Sequence, residues 1–171
     1  MSVFCRLLAI VSIILIPTTV LGQSKVDPFD FLEEWDLISQ DFRNGKLELT
    51  AEGLPPGFDA EPSKKSEDGH FDVSIRSDID PIPMNEIHTW LVEIKTADGA
   101  PVRDADVRFF GSMPLHGHGF PTQPRISGEV DPGVYALEGI KFSMAGWWSM
   151  GVGIEADGKT DRVGFNVIFE P

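Results

Sequence analysis

A chain of 171 residues with 42% hydrophobic and 10% aromatic side chains can bury one packed core, and a formal net charge of -13 sets it against nucleic acid and anionic lipid. The single cysteine, Cys5, lies in the N-terminal apolar stretch, so the rest of the chain has neither disulfides nor thiolate ligands. Any soft metal ligand there must be methionine.

Met1 to Gly22 reads as a secretory signal peptide. Arg6 precedes an almost unbroken apolar run from Leu7 to Leu21, interrupted by Pro17, and Val20-Leu21-Gly22 offers small or short residues for cleavage. Its loss removes one positive charge and no acids, shifting the formal charge from -13 to -14. The expected location is periplasmic or secreted. The alternative is an N-terminal anchor, and membrane contact is expected only if the signal segment is retained. Cys5 precedes the apolar run, which argues against a lipoprotein anchor.

Residues 23–45 form one predicted amphipathic helix. Asp27-Pro28 supplies a capping acid and a first-turn proline. Phe31, Leu32, Trp35, Ile38 and Phe42 recur at three- and four-residue spacing, acids and Gln40 take the other face, and Asn44-Gly45 closes the helix. The apolar stripe is expected to bury against the domain or a partner. Residues 46–69 read as a short strand, Lys46 to Thr50, followed by a Pro/Gly-rich linker through Pro55-Pro56-Gly57 and Asp68-Gly69.

From His70 to Pro171 the pattern alternates. Phe71, Val73 and Ile75 form one inward row; His88, Trp90, Val92 and Ile94 form another; Ala105, Val107 and Phe109 follow after the Asp98-Gly99 turn. Tyr135 and Leu137 come next. Phe142, Met144, Gly146 and Trp148 run on into Met150, Val152 and Ile154, and after Asp157-Gly158 the row Val163, Phe165, Val167 and Phe169 closes the chain. About seven short strands in roughly 100 residues predict an all-β, antiparallel two-sheet sandwich.

Between two of these strands lies Met113-Pro114-Leu115-His116-Gly117-His118-Gly119, with a thioether and two imidazoles within six residues. Methionine and histidine together favour copper, Cu(I) above all, over magnesium or calcium; zinc stays open through the histidines alone. His116 and His118 fall on one side of an extended backbone, and Gly117 permits a tighter turn that converges them.

This segment, with His88-Thr89-Trp90, Asp98-Gly99-Ala100-Pro101-Val102, Gly133-Val134-Tyr135 and Phe142-Ser143-Met144-Ala145-Gly146-Trp147-Trp148, resembles the YtkA-like (FixH-like) family of small exported or membrane-anchored domains. The resemblance covers about Asn85 to Phe169 and leaves the N-terminal helix outside. It implies an immunoglobulin-like sandwich and a role in copper handling, and it carries over candidate ligands at His88, Met113, His116, His118 and Met144. By parity His88 and Met144 are expected to point into one end of the sandwich, beneath the histidine loop.

An enzyme is not expected. Gly151-Val152-Gly153-Ile154-Glu155-Ala156 has the letters of a dinucleotide fingerprint but no helix to follow it, and there is no nucleophile elbow, Walker loop or His-Glu-x-x-His motif. The expected function is an exported metal-binding protein that handles or delivers copper as Cu(I) or Cu(II). The alternative is a metal-free interaction module of the cell envelope, with the N-terminal helix and the His/Gly loop meeting a partner protein.

Overall fold

The computed structural model describes residues 32–170 except Glu52. The signal segment and the Asp27-Pro28 helix start lie outside these residues, as do Phe31 and the side chains of Leu32 and Trp35. Helix α1 spans Leu32–Arg43. It ends as its sequence dictates: Gly45 takes φ 67°, its N–H donates to Phe42 O, and the Lys46 N–H reaches back to Asp41 O. That closure consumes the amides of Lys46 and Leu47, both directed at Asp41 O, and Thr50 N–H donates to Leu54 O. The strand expected at Lys46 to Thr50 therefore does not form.

The sandwich starts inside the expected linker, ahead of His70. Strand β1 (Ser63–Lys65) pairs with β2 (Phe71–Ser77), and β3 (His88–Thr96), β7 (Val134–Ile140) and β6 (Arg125–Asp131) complete one antiparallel sheet in the order β1-β2-β3-β7-β6. The second sheet is β5-β4-β8-β9, built from β4 (Asp106–Met113), β5 (His118–Gly119), β8 (Gly146–Ala156) and β9 (Lys159–Phe169). The two sheets make the expected immunoglobulin-like sandwich. Its seven longer strands are joined by two short ones, β1 and β5.

The predicted inward rows hold except at Met144, with Ala105, Phe109 and Val167 only partly buried. Val92, Ile94, Trp148, Val152 and Ile154 are fully buried, and Phe165 and Val163 meet them from β9. Asp157 and Gly158, at φ 52° and 72°, form the tight turn that lets β8 and β9 pair along eleven residues, from Gly146↔Phe169 to Ala156↔Lys159. Among the described residues no helix is long and apolar enough to cross a membrane.

Three pairings define one end of this sandwich: Ser77↔Trp90 and His88↔Ile140 in the first sheet, and Gly146↔Phe169 in the second. Phe142 plugs it, stacking on Phe169 at 4.9 Å and meeting Trp90, His88 and Trp148 at 5.4–6.1 Å. The histidine loop lies at this same end.

Candidate metal centre

The Met-His segment is the tip of a β-hairpin. β4 and β5 pair through Ser112↔Gly119 and Met113↔His118, leaving Pro114 to Gly117 as the turn. The amides of His116 and Gly117 both donate to Met113 O, at 3.0 and 2.9 Å, and Gly117 adopts φ 69°, a conformation that glycine takes without steric cost. In this register Met113 and His118 stand directly opposite each other, so their side chains share a face. Met113 is buried, at 1% exposure, whereas His116 and His118 are exposed at the tip.

The turn brings the two imidazoles to 5.8 Å between ring centroids. The Nδ1–H of His118 donates to its neighbour's carbonyl, Gly119 O, at 2.9 Å, because a carbonyl only accepts. That bond sets the tautomer and leaves the Nε2 lone pair for an electrophile. The ring stands edge-on to Trp148 at 6.0 Å, and Trp148 stacks on Phe120 at 4.6 Å. A cavity of about 520 Å³ opens beneath the turn, with Met113, Leu115, His116, Trp147 and Phe169 among its lining residues.

The structure thus brings together Met113, His116 and His118. His88 is buried as parity predicts, but the ring contacts that link it to His118 run through Phe142 and then Trp148. Its Nδ1–H donates to Glu86 O at 3.1 Å, and its Nε2 is buried without a partner among the described residues. Met144 departs from its expected burial and is 39% exposed. The strand begins only at Gly146, with φ 120°, and the preceding residues form a bend that breaks the alternation. What that bend fixes is Met144's carbonyl, which accepts the Trp148 Nε1–H at 3.1 Å. Among the described residues no three His, Cys, Asp or Glu side chains gather as a metal set.

Sequence patterning missed how α1 meets this hairpin. Its docked face includes Ser39, a small polar residue that is buried and donates its Oγ–H to Pro114 O at 2.5 Å. A Cβ at Gly117 would stand 3.2 Å from Arg43 Nη1. Of the expected apolar stripe, Ile38 is half-buried and Phe42 is 37% exposed, and the off-stripe Leu37 is more exposed still. A serine one residue beyond Ile38 carries no amphipathic signal, so only the contact itself reveals its role.

A family model described as YtkA-like matches residues 63–153. No curated protein matches the chain. Among solved structures, a DUF4426 family protein from Pseudomonas aeruginosa PAO1 is similar at 20% identity, covering 65% of this chain and 98% of that one with a TM-score of 0.48. The C-terminal domain of ZirS is similar at 13% identity, covering 70% of this chain and 86% of that one with a TM-score of 0.37.

Proposed function

The chain belongs to the YtkA-like family, and from the chemistry of its hairpin we propose that it binds copper outside the cytoplasm and handles or delivers it there. The observation that carries this reading is the pair of exposed imidazoles. Two imidazoles sharing one ion at a metal–nitrogen distance of about 2.0 Å place their centroids roughly 5–6 Å apart. The 5.8 Å separation falls in that range. Sulfur comes from Met113, opposite His118 in register, or from the exposed Met144. Two nitrogens and one thioether suit the low coordination and softness of Cu(I) better than the four-coordinate preference of zinc. An exposed pair on a hairpin tip also suits an ion that is passed on rather than sealed in.

Competition against a Cu(I) chelator tests the reading. The protein is expected to take one equivalent with sub-micromolar affinity, and His116→Ala with His118→Ala to abolish that binding. Unchanged affinity in the double variant, or no stoichiometric binding by the parent, overturns it.

A second reading, a metal-free interaction module, draws on α1, where Leu37 and Phe42 are exposed. It requires partner capture that survives chelation and is lost on Leu37→Asp with Phe42→Asp.

A further inference from the structure

A second cavity opens at the same end of the sandwich on its open side, and shares Ile168 with the cavity beneath the hairpin. Among the described residues β1 covers β2 only from Asp72 to Ser74, and β9 has a strand on one side alone. Between these two edges the chain from Asp59 to Pro62 crosses like a strap: Asn166 Nδ2–H donates to Asp59 O, and Ile75 N–H donates to Pro62 O, each at 2.9 Å. Next to this strap is a cleft of about 410 Å³, within the size range of small-molecule sites. Ile75 and Trp90 of one sheet and Val167 of the other line it, so it reaches into the layer between the sheets.

Trp90 supplies the chemistry. It is 5% exposed, and its buried Nε1–H has no hydrogen-bond acceptor among the described residues. An indole N–H taken from water into apolar surroundings without an acceptor is costly, and native interiors rarely leave one so. The charged residues of the cleft, Arg76 and Glu61, are both exposed, of opposite sign, and sit at its mouth. Among the described residues no charge within the cleft would compensate a buried carboxylate or ammonium.

We propose that this cleft binds a neutral, mostly apolar molecule carrying a carbonyl or comparable acceptor, which accepts the Trp90 Nε1–H while its hydrocarbon part packs on Ile75 and Val167. None of Met113, His116 and His118 lines it, so the proposal does not rest on copper binding by the hairpin.

The test uses the full chain and 2-octanone as the probe, followed by nuclear magnetic resonance. Saturable one-to-one shifts of the Ile75 and Val167 methyl signals are expected, with a downfield shift of the Trp90 indole proton, unchanged by a copper chelator. Trp90→Phe should weaken binding about fivefold, the worth of one modest hydrogen bond. Val167→Trp should fill the cleft and abolish binding. On the parent protein, n-hexane, which has no acceptor, should bind more weakly than the ketone and leave the indole proton unmoved, a comparison that holds even if Trp90→Phe does not fold. The proposal is overturned if the methyl signals show no saturation up to the solubility of 2-octanone. It is equally overturned by unchanged affinity in Trp90→Phe, by ketone binding in a folded Val167→Trp, or by equal binding of hexane and ketone.

Discussion

Asp161→Ala is expected to destabilise the sandwich by about 3 kcal/mol, on the following grounds. Asp161 is 4% exposed on β9, and its carboxylate accepts from Ser66 Oγ at 2.5 Å, Arg162 N at 2.8 Å, Asp68 N at 3.0 Å and His70 N at 3.1 Å. Three of these donors belong to the turn entering β2, so one side chain clamps the start of the first sheet to the edge of the second. Removing it strands the partly buried amides of Asp68 and His70 and the Ser66 hydroxyl at about 1 kcal/mol each, at the lower end of the range because water reaches part of the turn, and also takes the bond from the Arg162 amide. Ser66 Oγ keeps Phe71 O as a second acceptor at 3.1 Å, which limits its share. Burial pushes the Asp161 carboxyl up, but the Ser66 hydroxyl and the amides of Asp68, His70 and Arg162 more than offset this and hold it below its ordinary 3.8. The unfolded chain therefore takes up the proton first on acidification. The stabilisation is complete above the unfolded value near 3.8 and is lost as pH falls through the lower folded value. Urea unfolding at neutral pH, followed by tryptophan fluorescence, measures the loss with an unchanged denaturant slope. The same titration in acid should show the parent converging on Asp161→Ala. A loss below about 1 kcal/mol at neutral pH, or parallel pH profiles, would refute the reasoning.

Gly111→Ala should cost about 2 kcal/mol, because the added Cβ would lie 2.2 Å from the Phe120 ring, which is itself stacked on Trp148. Urea unfolding checks the stability, and a weakened Cu(I) affinity would show that the shift reaches His118. Ser39→Ala should release α1 from the hairpin, seen as faster amide exchange over residues 32–43 with the thermal midpoint of the sandwich unmoved. Tyr135 is the only tyrosine, and its hydroxyl donates to Val102 O and accepts from Ala105 N, both at 2.9 Å. Burial, with the charges of Glu129 and Asp104, raises its pKa above the ordinary 10.0 against the opposing Ala105 amide. Tyrosinate absorbance should appear late, and the stability tied to Tyr135 should persist below pH 10 and fade as pH rises through the folded value. Tyr135→Phe should lose about 1–2 kcal/mol in urea.

How far patterning carries depends on how many neighbours a residue answers to. Rows such as Val92-Ile94 and Val163-Phe165 lie on central or long-paired strands, where alternation directly reports which side faces the core. β6 gives almost no such signal: Ile126 and Val130 are its only large apolar residues, Val130 is exposed, and two bulges break its register against β7. It forms because β7 offers an edge. β1 likewise has three polar residues, Ser63-Lys64-Lys65, and owes its state to β2. Met144 failed for the opposite reason, since its parity was counted through a bend that no periodicity reveals.

The sequence alone determined the two-sheet class, the turns at Asp157-Gly158 and Asn44-Gly45, and the clustering of one thioether and two imidazoles, because each rests on short-range sterics or on residue chemistry. The tertiary structure decided that Met113 faces His118 across a hairpin, that His88 packs on Phe142 rather than on the hairpin histidines, and that α1 meets the tip through Ser39. These depend on which strand supplies the opposite residue and which ring fills the space between. Register and packing between segments far apart in the chain settle both, and local pattern does not encode them.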